Sequence, residues 1–413
     1  MSAGVREVGI GIVGYGTMGR AHAYAYAAAP RIRPLPCVPR VRVMSGRNQA
    51  AVERAALDLG AERFTTEWRE LVEAPDVDIV DICTPPGTHA EIVEAAAECG
   101  KAILCEKPLA AGFEDACRAA EAVRRARVKN AIGFNYRRLP ALSLMKQMVD
   151  SGRLGEVRLW RGSWLSDEFA DPEIPFDWRF EKSMGASTIA DLGAHLLDLA
   201  GWLVGEIDAV SAQSRTFTKS RSDAGGGRPL DVDVDDASSA LLRFGSGALG
   251  VFEVAKTCVR RPCDFTVEVN GERGTLRFDY ARLNELWYGD AGDEAELYGM
   301  RRLRAEHPLH PETQGWWTIG QGVGYGASFV NQAADLLEQW PDGTWSPDFA
   351  TGLEVQAGCE AIERAAAERR WVALDEIRGG ASSQIRGGAS SQIRDGASSQ
   401  IRGGASSQIR DAG

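Results

Sequence analysis

Two stretches of this chain have residue types and spacing suited to proton transfer: Asp191-Leu192-Gly193-Ala194-His195 and Cys105-Glu106-Lys107-Pro108. An acid and an imidazole four residues apart share one face if their segment is helical. A lysine held near them completes a cluster able to move a proton to or from a hydroxyl. Asp191, His195 and Lys107 are therefore the candidate catalytic residues.

Lys107 needs a rigid support, and the apolar run Ala102 to Cys105 reads as a buried strand that delivers it, with Pro108 restricting its backbone. Similar runs precede it: Val8 to Val13, Val41 to Met44 and Asp78 to Cys83, with Ala131 to Phe134 as a fifth. Helical stretches alternate with them (Ala21 to Ala29, Ala90 to Cys99). This alternation predicts a doubly wound parallel sheet over residues 1–135, with ligands at the carboxyl ends of its strands. Thr84, Pro85, His89, Glu106, Lys107 and Asn135 fall there; a lone histidine such as His89 more often packs or caps than binds.

The first strand runs into Gly14-Tyr15-Gly16-Thr17-Met18-Gly19, the strand-turn-helix context that a dinucleotide fingerprint requires. Gly14 makes the turn, Gly16 admits a pyrophosphate to the backbone, and Gly19 packs helix on strand. After a proline-rich connection the second strand ends in Ser45-Gly46-Arg47-Asn48. An NAD site usually places an acid there. Its absence, with room at Gly46 and a cation at Arg47, tips the expected cofactor from NAD slightly towards NADP.

Composition narrows the class. At 413 residues the chain calls for two domains, and a charge of -11 argues against nucleic acid or an anionic membrane as partner. No stretch approaches a membrane span. Eight scattered cysteines without a CxxC pair, beside only five histidines, suggest buried thiols in a reducing cytoplasm and no metal site.

In this order, the glycine run 14–19, Thr84-Pro85 with His89, Glu106-Lys107-Pro108, Asn135-Tyr136-Arg137, Trp178-Arg179 and Asp191 to His195 resemble the Gfo/Idh/MocA oxidoreductases over residues 5 to 375. That resemblance implies an N-terminal Rossmann domain and an α/β domain whose large, mostly antiparallel open sheet often forms the oligomer interface, giving a homo-oligomer (dimer or tetramer). It implies NAD(P)-dependent oxidation or reduction of a sugar, polyol (such as an inositol) or glycoside. Lys107, Asp191 and His195 would be the catalytic and substrate-contacting set. Tyr136, Arg137 and Trp178-Arg179 would approach substrate or nicotinamide. Finer features, among them Trp316-Trp317, look most like levoglucosan-dehydrogenase-type and glycoside-3-oxidising members.

Residues 136–376 read as the second domain, with alternating strands from Glu156, Val210, Ala237, Ala248, Asp264 and Gly274, several joined by hairpin-like links. Tryptophans 160, 164 and 178 among Asp167, Glu168, Asp171 and Asp177 suit a sugar's C–H faces and hydroxyls. Trp316 and Trp317, near His307 and His310, suggest a lid. Tyr325 to Trp340 and Asp348 to Arg369 read as helices returning to the first domain. Residues 377–413 form an octapeptide repeat, Ile-Arg-Gly-Gly-Ala-Ser-Ser-Gln, too rich in serine and glycine to bury a core and expected to be a flexible tail. Two other functions stand beside this one: an NAD-dependent glycosidase that would use the same residues through transient C3 oxidation and elimination, and a regulator that binds dinucleotide without chemistry, a class that tends to lose the lysine or histidine kept here.

Overall fold

Six parallel strands build the first sheet: β1 (Arg6–Val13), β2 (Cys37–Ser45), β3 (Arg63–Thr65), β4 (Ile79–Ile82), β5 (Ala102–Cys105) and β6 (Asn130–Ile132). They belong to a computed structural model that describes residues 6–223 and 225–380. The spatial order is β3-β2-β1-β4-β5-β6. Helices cover both faces, so Val8, Ile10 and Ile12 are wholly buried, which is why β1 reads as a near-continuous apolar run. Strand order reverses direction between β1 and β4, and a ligand crevice opens at their carboxyl ends.

Two details depart from the sequence reading. β3 is short and carries no alternating pattern, so Asp78 to Cys83 contains the fourth strand rather than the third. β2 begins at Cys37 and takes in Pro39, part of the supposed proline connection. Pro39 pairs with Val8 of β1, while β3 reaches only Val43 to Ser45. A proline is tolerated where a strand has a single neighbour.

The second sheet has nine strands: β7 (Val157–Leu165), β8 (Ile207–Arg215), β11 (Ala237–Phe244), β12 (Leu249–Ala255), β13 (Asp264–Gly271), β14 (Gly274–Asp279), β15 (Glu285–Asp290), β16 (Arg301–Arg304) and β17 (Val372–Ala373). A small hairpin of β9 (Ser220–Ser222) and β10 (Pro229–Asp231) stands apart. The order is β16-β15-β14-β13-β7-β12-β11-β8-β17, and every pairing is antiparallel except β12 with β7. One face packs on the helices Pro140–Asp150, Ala194–Val204 and Phe349–Glu368. The other leaves Leu159, Leu241, Leu249 and Val251 exposed.

Helix Gly326–Glu338 returns to the first domain and packs on helix Thr17–Ile32. The chain then closes with helix Leu374–Gly380, in which Ile377 is buried and Arg378 pairs with Glu206 and Glu354. The start of the expected tail, 377–380, is thus part of the fold; the repeat from 381 onward lies outside the described residues.

Candidate active site

The cofactor side is built on the turn after β1. Gly14 has φ +106°, and a Cβ there would lie 2.8 Å from the Cys83 carbonyl oxygen. A Cβ on Gly19 would lie 2.0 Å from the Gly14 carbonyl oxygen, so the helix can approach the turn only without a side chain. Gly16, the N-cap of helix Thr17–Ile32, faces open space, with nothing within 4 Å of its Cβ position. No acid occupies the first turn of that helix, leaving its positive end free for phosphate. The residues present fit a dinucleotide, with Tyr15, Thr17 and Met18 completing the loop and Thr84-Pro85 across the crevice.

At the adenosine end the reason for Gly46 changes. Its Cβ position is filled by the Tyr15 ring at 2.1 Å, so the glycine accommodates Tyr15 rather than a 2'-phosphate. Ser45 is buried, Arg47 is exposed, and Asn48 caps the next helix through Ala51 N–H (3.1 Å).

On the chemical side β5 delivers Lys107, whose peptide bond to Pro108 is cis. Its ammonium donates to both the main-chain carbonyl (3.0 Å) and the carboxylate of Asp191. Asp191 sits in a π-helical turn, Ile189–Gly193, that leads straight into helix Ala194–Val204 and His195. Wide turns of this kind are frequent at functional sites. Gly193 lets the turn close on β12, because a Cβ there would lie 2.7 Å from Phe252 Cζ.

A second lysine completes the cluster. Lys256, directly after β12, donates to Asp191 Oδ2 (2.5 Å) and pairs with Glu168 Oε2 (3.2 Å), with its Nζ 4.5 Å from the Phe169 ring centroid. The sequence reading missed it. The one available signal was a cation placed immediately after a strand whose residues alternate inward. Burial would raise the Asp191 carboxyl, but the charges of Lys107 and Lys256 outweigh it and hold the group well below the ordinary carboxylate range. Asp191 is thus a fixed anion between two cations, not a proton acceptor.

His195 is held without help from the Asp191 carboxylate. The Asp191 carboxylate is taken by the two lysines, and His195 Nδ1 has no hydrogen-bond partner among the described residues. Aromatic walls hold the ring instead: Tyr136 at 4.7 Å, Trp164 at 5.7 Å and Phe134 at 6.0 Å between centroids. Burial, reinforced by the Lys107 charge, keeps the imidazole neutral well below its usual range.

Several other expected site residues are occupied elsewhere. Arg137 pairs with Asp198 (Nη2 to Oδ1 2.6 Å, Nε to Oδ2 2.9 Å) and covers the Trp202 ring, so these two nitrogens are engaged within the second domain. His89 is fully buried, with its ring nitrogens 2.8 Å from the Thr84 carbonyl and 3.0 Å from that of Pro108, and it ties two loops together. Asn135 donates to Ser328 Oγ (2.8 Å). Glu106 is buried, its carboxylate engaged by His22 (3.0 Å) and by the Lys107 amide (3.1 Å).

The segment carrying Trp178-Arg179 crosses towards the first domain, where Met184 meets Gly87. Arg179 folds back on Asp177 (2.8 Å) and over the Trp178 ring. Trp160 lies in the core, and Trp316 bonds Asn331 (2.8 Å) beside Gly315, which abuts Ile32. Further along this stretch the Tyr325 ring lies 5.5 Å from that of Tyr136, which walls His195.

A dinucleotide cradle facing a proton-handling cluster drawn from both domains makes this a two-domain, dinucleotide-dependent oxidoreductase. Residues 8–134 match the oxidoreductase family with an NAD-binding Rossmann fold, and residues 142–277 match the GFO/IDH/MocA C-terminal domain. The chain belongs to the Gfo/Idh/MocA oxidoreductases, as its motif order predicts. It is 37% identical to levoglucosan dehydrogenase of Pseudarthrobacter phenanthrenivorans over 90% of this chain and 100% of that protein. Among solved structures, an oxidoreductase domain protein from Kribbella flavida is 40% identical with a TM-score of 0.87, covering 89% of this chain and 99% of that one. Levoglucosan dehydrogenase in complex with NADH and L-sorbose is 38% identical with a TM-score of 0.87 over the same shares, 89% and 99%.

Proposed function

We propose that the protein transfers a hydride between NAD(P) and a secondary hydroxyl or ketone of a sugar, polyol or glycoside. The observation that carries this reading is the meeting of Lys107, from the Rossmann domain, with Asp191, one short turn before a neutral His195 of the second domain. In the oxidation direction the bound nicotinamide supplies the hydride acceptor. His195, unprotonated, takes the hydroxyl proton as the carbinol hydrogen leaves with its electron pair. Lys107 donates to the same oxygen and steadies the developing alkoxide. Asp191, held by Lys256, fixes the direction of Lys107. The relatives named for a sugar support the substrate class.

For the cofactor, the relative's complex with NADH supports NAD, while exposed Arg47 and the missing acid after β2 support acceptance of NADP as well. The free state of all eight cysteines suits a reducing cytoplasm. Among the described residues no helix is long and apolar enough to cross a membrane. A homo-oligomer is proposed through the open sheet face, where Leu159, Leu249, Val251 and Leu241 form an apolar strip across β7, β12 and β11. Arg161, Arg243 and Glu253 flank it with both signs of charge, which suits pairing with a second copy of the same face.

The test is nicotinamide absorbance with the purified protein, a panel of anhydrosugars, inositols and glycosides, and both NAD and NADP. Net reduction with at least one carbohydrate is expected. Glycoside cleavage without net reduction would favour the glycosidase reading. Tight cofactor binding with no reaction on any substrate would favour a regulator.

A further inference from the structure

Behind Lys107 lies a buried charged group that the mechanism above does not use. His22, on the helix that begins at the glycine cradle, is 3% exposed, Asp81 of β4 is 0% exposed, and Glu106 at the end of β5 is 4% exposed. His22 Nδ1 lies 2.9 Å from both Asp81 oxygens, and Nε2 lies 3.0 Å from Glu106 Oε1. A neutral imidazole carries one N–H and cannot donate to carboxylates on both sides, whereas the imidazolium can. The other Glu106 oxygen, Oε2, accepts the main-chain N–H of Lys107 at 3.1 Å. Gly133 makes room for this carboxylate, since a Cβ there would lie 2.7 Å from Oε1.

We propose that His22 is a positioning residue for Lys107, acting through Glu106 as a charged clamp that fixes the strand end from which the lysine projects. The inference rests on the oxidoreductase reading for its effect on turnover, but the clamp itself is a property of the fold. Burial opposes a charged ring at His22, and Asp81 more than offsets it, so the ring holds its proton well above the ordinary histidine range. Asp81, Glu106 and Cys83 face it, the sulfur lying 3.5 Å from Nδ1 and 3.4 Å from Asp81 Oδ1; the Phe329 ring covers it at 5.6 Å, and the Tyr325 phenol is near enough to feel the charges of His22 and Glu106. Burial raises the Cys83 thiol, so it remains a neutral donor in this group. Removing the imidazolium would leave two carboxylates buried together; one would take up a proton or shift, and the hold of Glu106 on the Lys107 amide would weaken.

The experiment compares His22→Gln, Glu106→Gln and the double variant in the full chain, reading kcat and KM for the carbohydrate, NADH affinity and thermal stability. Each single variant should lower kcat by about tenfold or more while KM and NADH affinity change little, because a small misplacement of a catalytic group costs rate. The double variant should be no slower than the slower single one, since the two residues act as one unit. Losses that multiply, or a fall in stability with kcat untouched, would overturn the proposal. Glu106→Gln is nearly isosteric and serves if His22→Gln fails to fold. A separate arm records 15N shifts of the imidazoles across pH: one histidine should stay doubly protonated at neutral pH and respond to Glu106→Gln. Its absence would overturn the clamp whether or not the protein proves to be a dehydrogenase.

Discussion

His195 and Lys256 show how charge is apportioned around a single carboxylate. The imidazole is neutral because it is buried and faces Lys107, and neutrality is the state required to accept a proton. Lowering the pH removes the base only when the ring protonates, so a depressed value extends activity towards acid. The acid limb of kcat/KM should therefore fall below about pH 6.5, the range of an ordinary histidine; a limb at or above that value would contradict the assignment. Lys256 binds the second oxygen of Asp191 and is almost fully buried. Lys256→Met keeps the bulk, removes the second cation and frees Asp191 to turn. It should lower kcat by about tenfold with NADH affinity unchanged, since it touches orientation alone. Unaltered kcat would show that Lys107 by itself fixes the acid.

At the scale of elements, the π-helical turn and β12 are fitted to each other. Gly193→Ala drives a Cβ against Phe252, which should cost about 1–3 kcal/mol by overpacking and shift Asp191 from its lysines. Adding Phe252→Leu should restore part of both losses; denaturant unfolding and kcat of the three variants would check it. The same elements explain what the sequence revealed. β5 was readable to the residue because Ala102 to Cys105 is buried on both faces and ends at a charged pair. The glycine cradle was readable because each of its glycines answers a different backbone demand. The duty of Arg137 was not, because its partner Asp198 lies 61 residues on and nothing local announces the pair. His22 and Lys256 were hidden in the same way: one sits within a helix and the other just past a strand, and only packing brings their carboxylates to them. β16, a single leucine among arginines, carries too little alternation to be seen.

Across the whole molecule, the two sheets divide the labour. The parallel sheet presents strand ends to a cofactor, while the mixed sheet carries on one face the turn and helix that supply the acid and the imidazole, with the second lysine directly after β12, and leaves the other face open. That open face predicts assembly: Leu249→Lys with Val251→Lys should convert an oligomer to a smaller species in analytical ultracentrifugation while leaving the fold intact. A wild-type monomer, or an assembly indifferent to these changes, would contradict the proposed interface. Joining the halves at the reaction centre is the bridge from Lys107 to Asp191, and on it the functional reading rests. The direct measurement is turnover and NADH binding by Lys107→Ala, with a carbohydrate that the wild-type protein oxidises. Loss of turnover by about 10² or more with cofactor binding retained is the predicted result; turnover at the wild-type rate would contradict it.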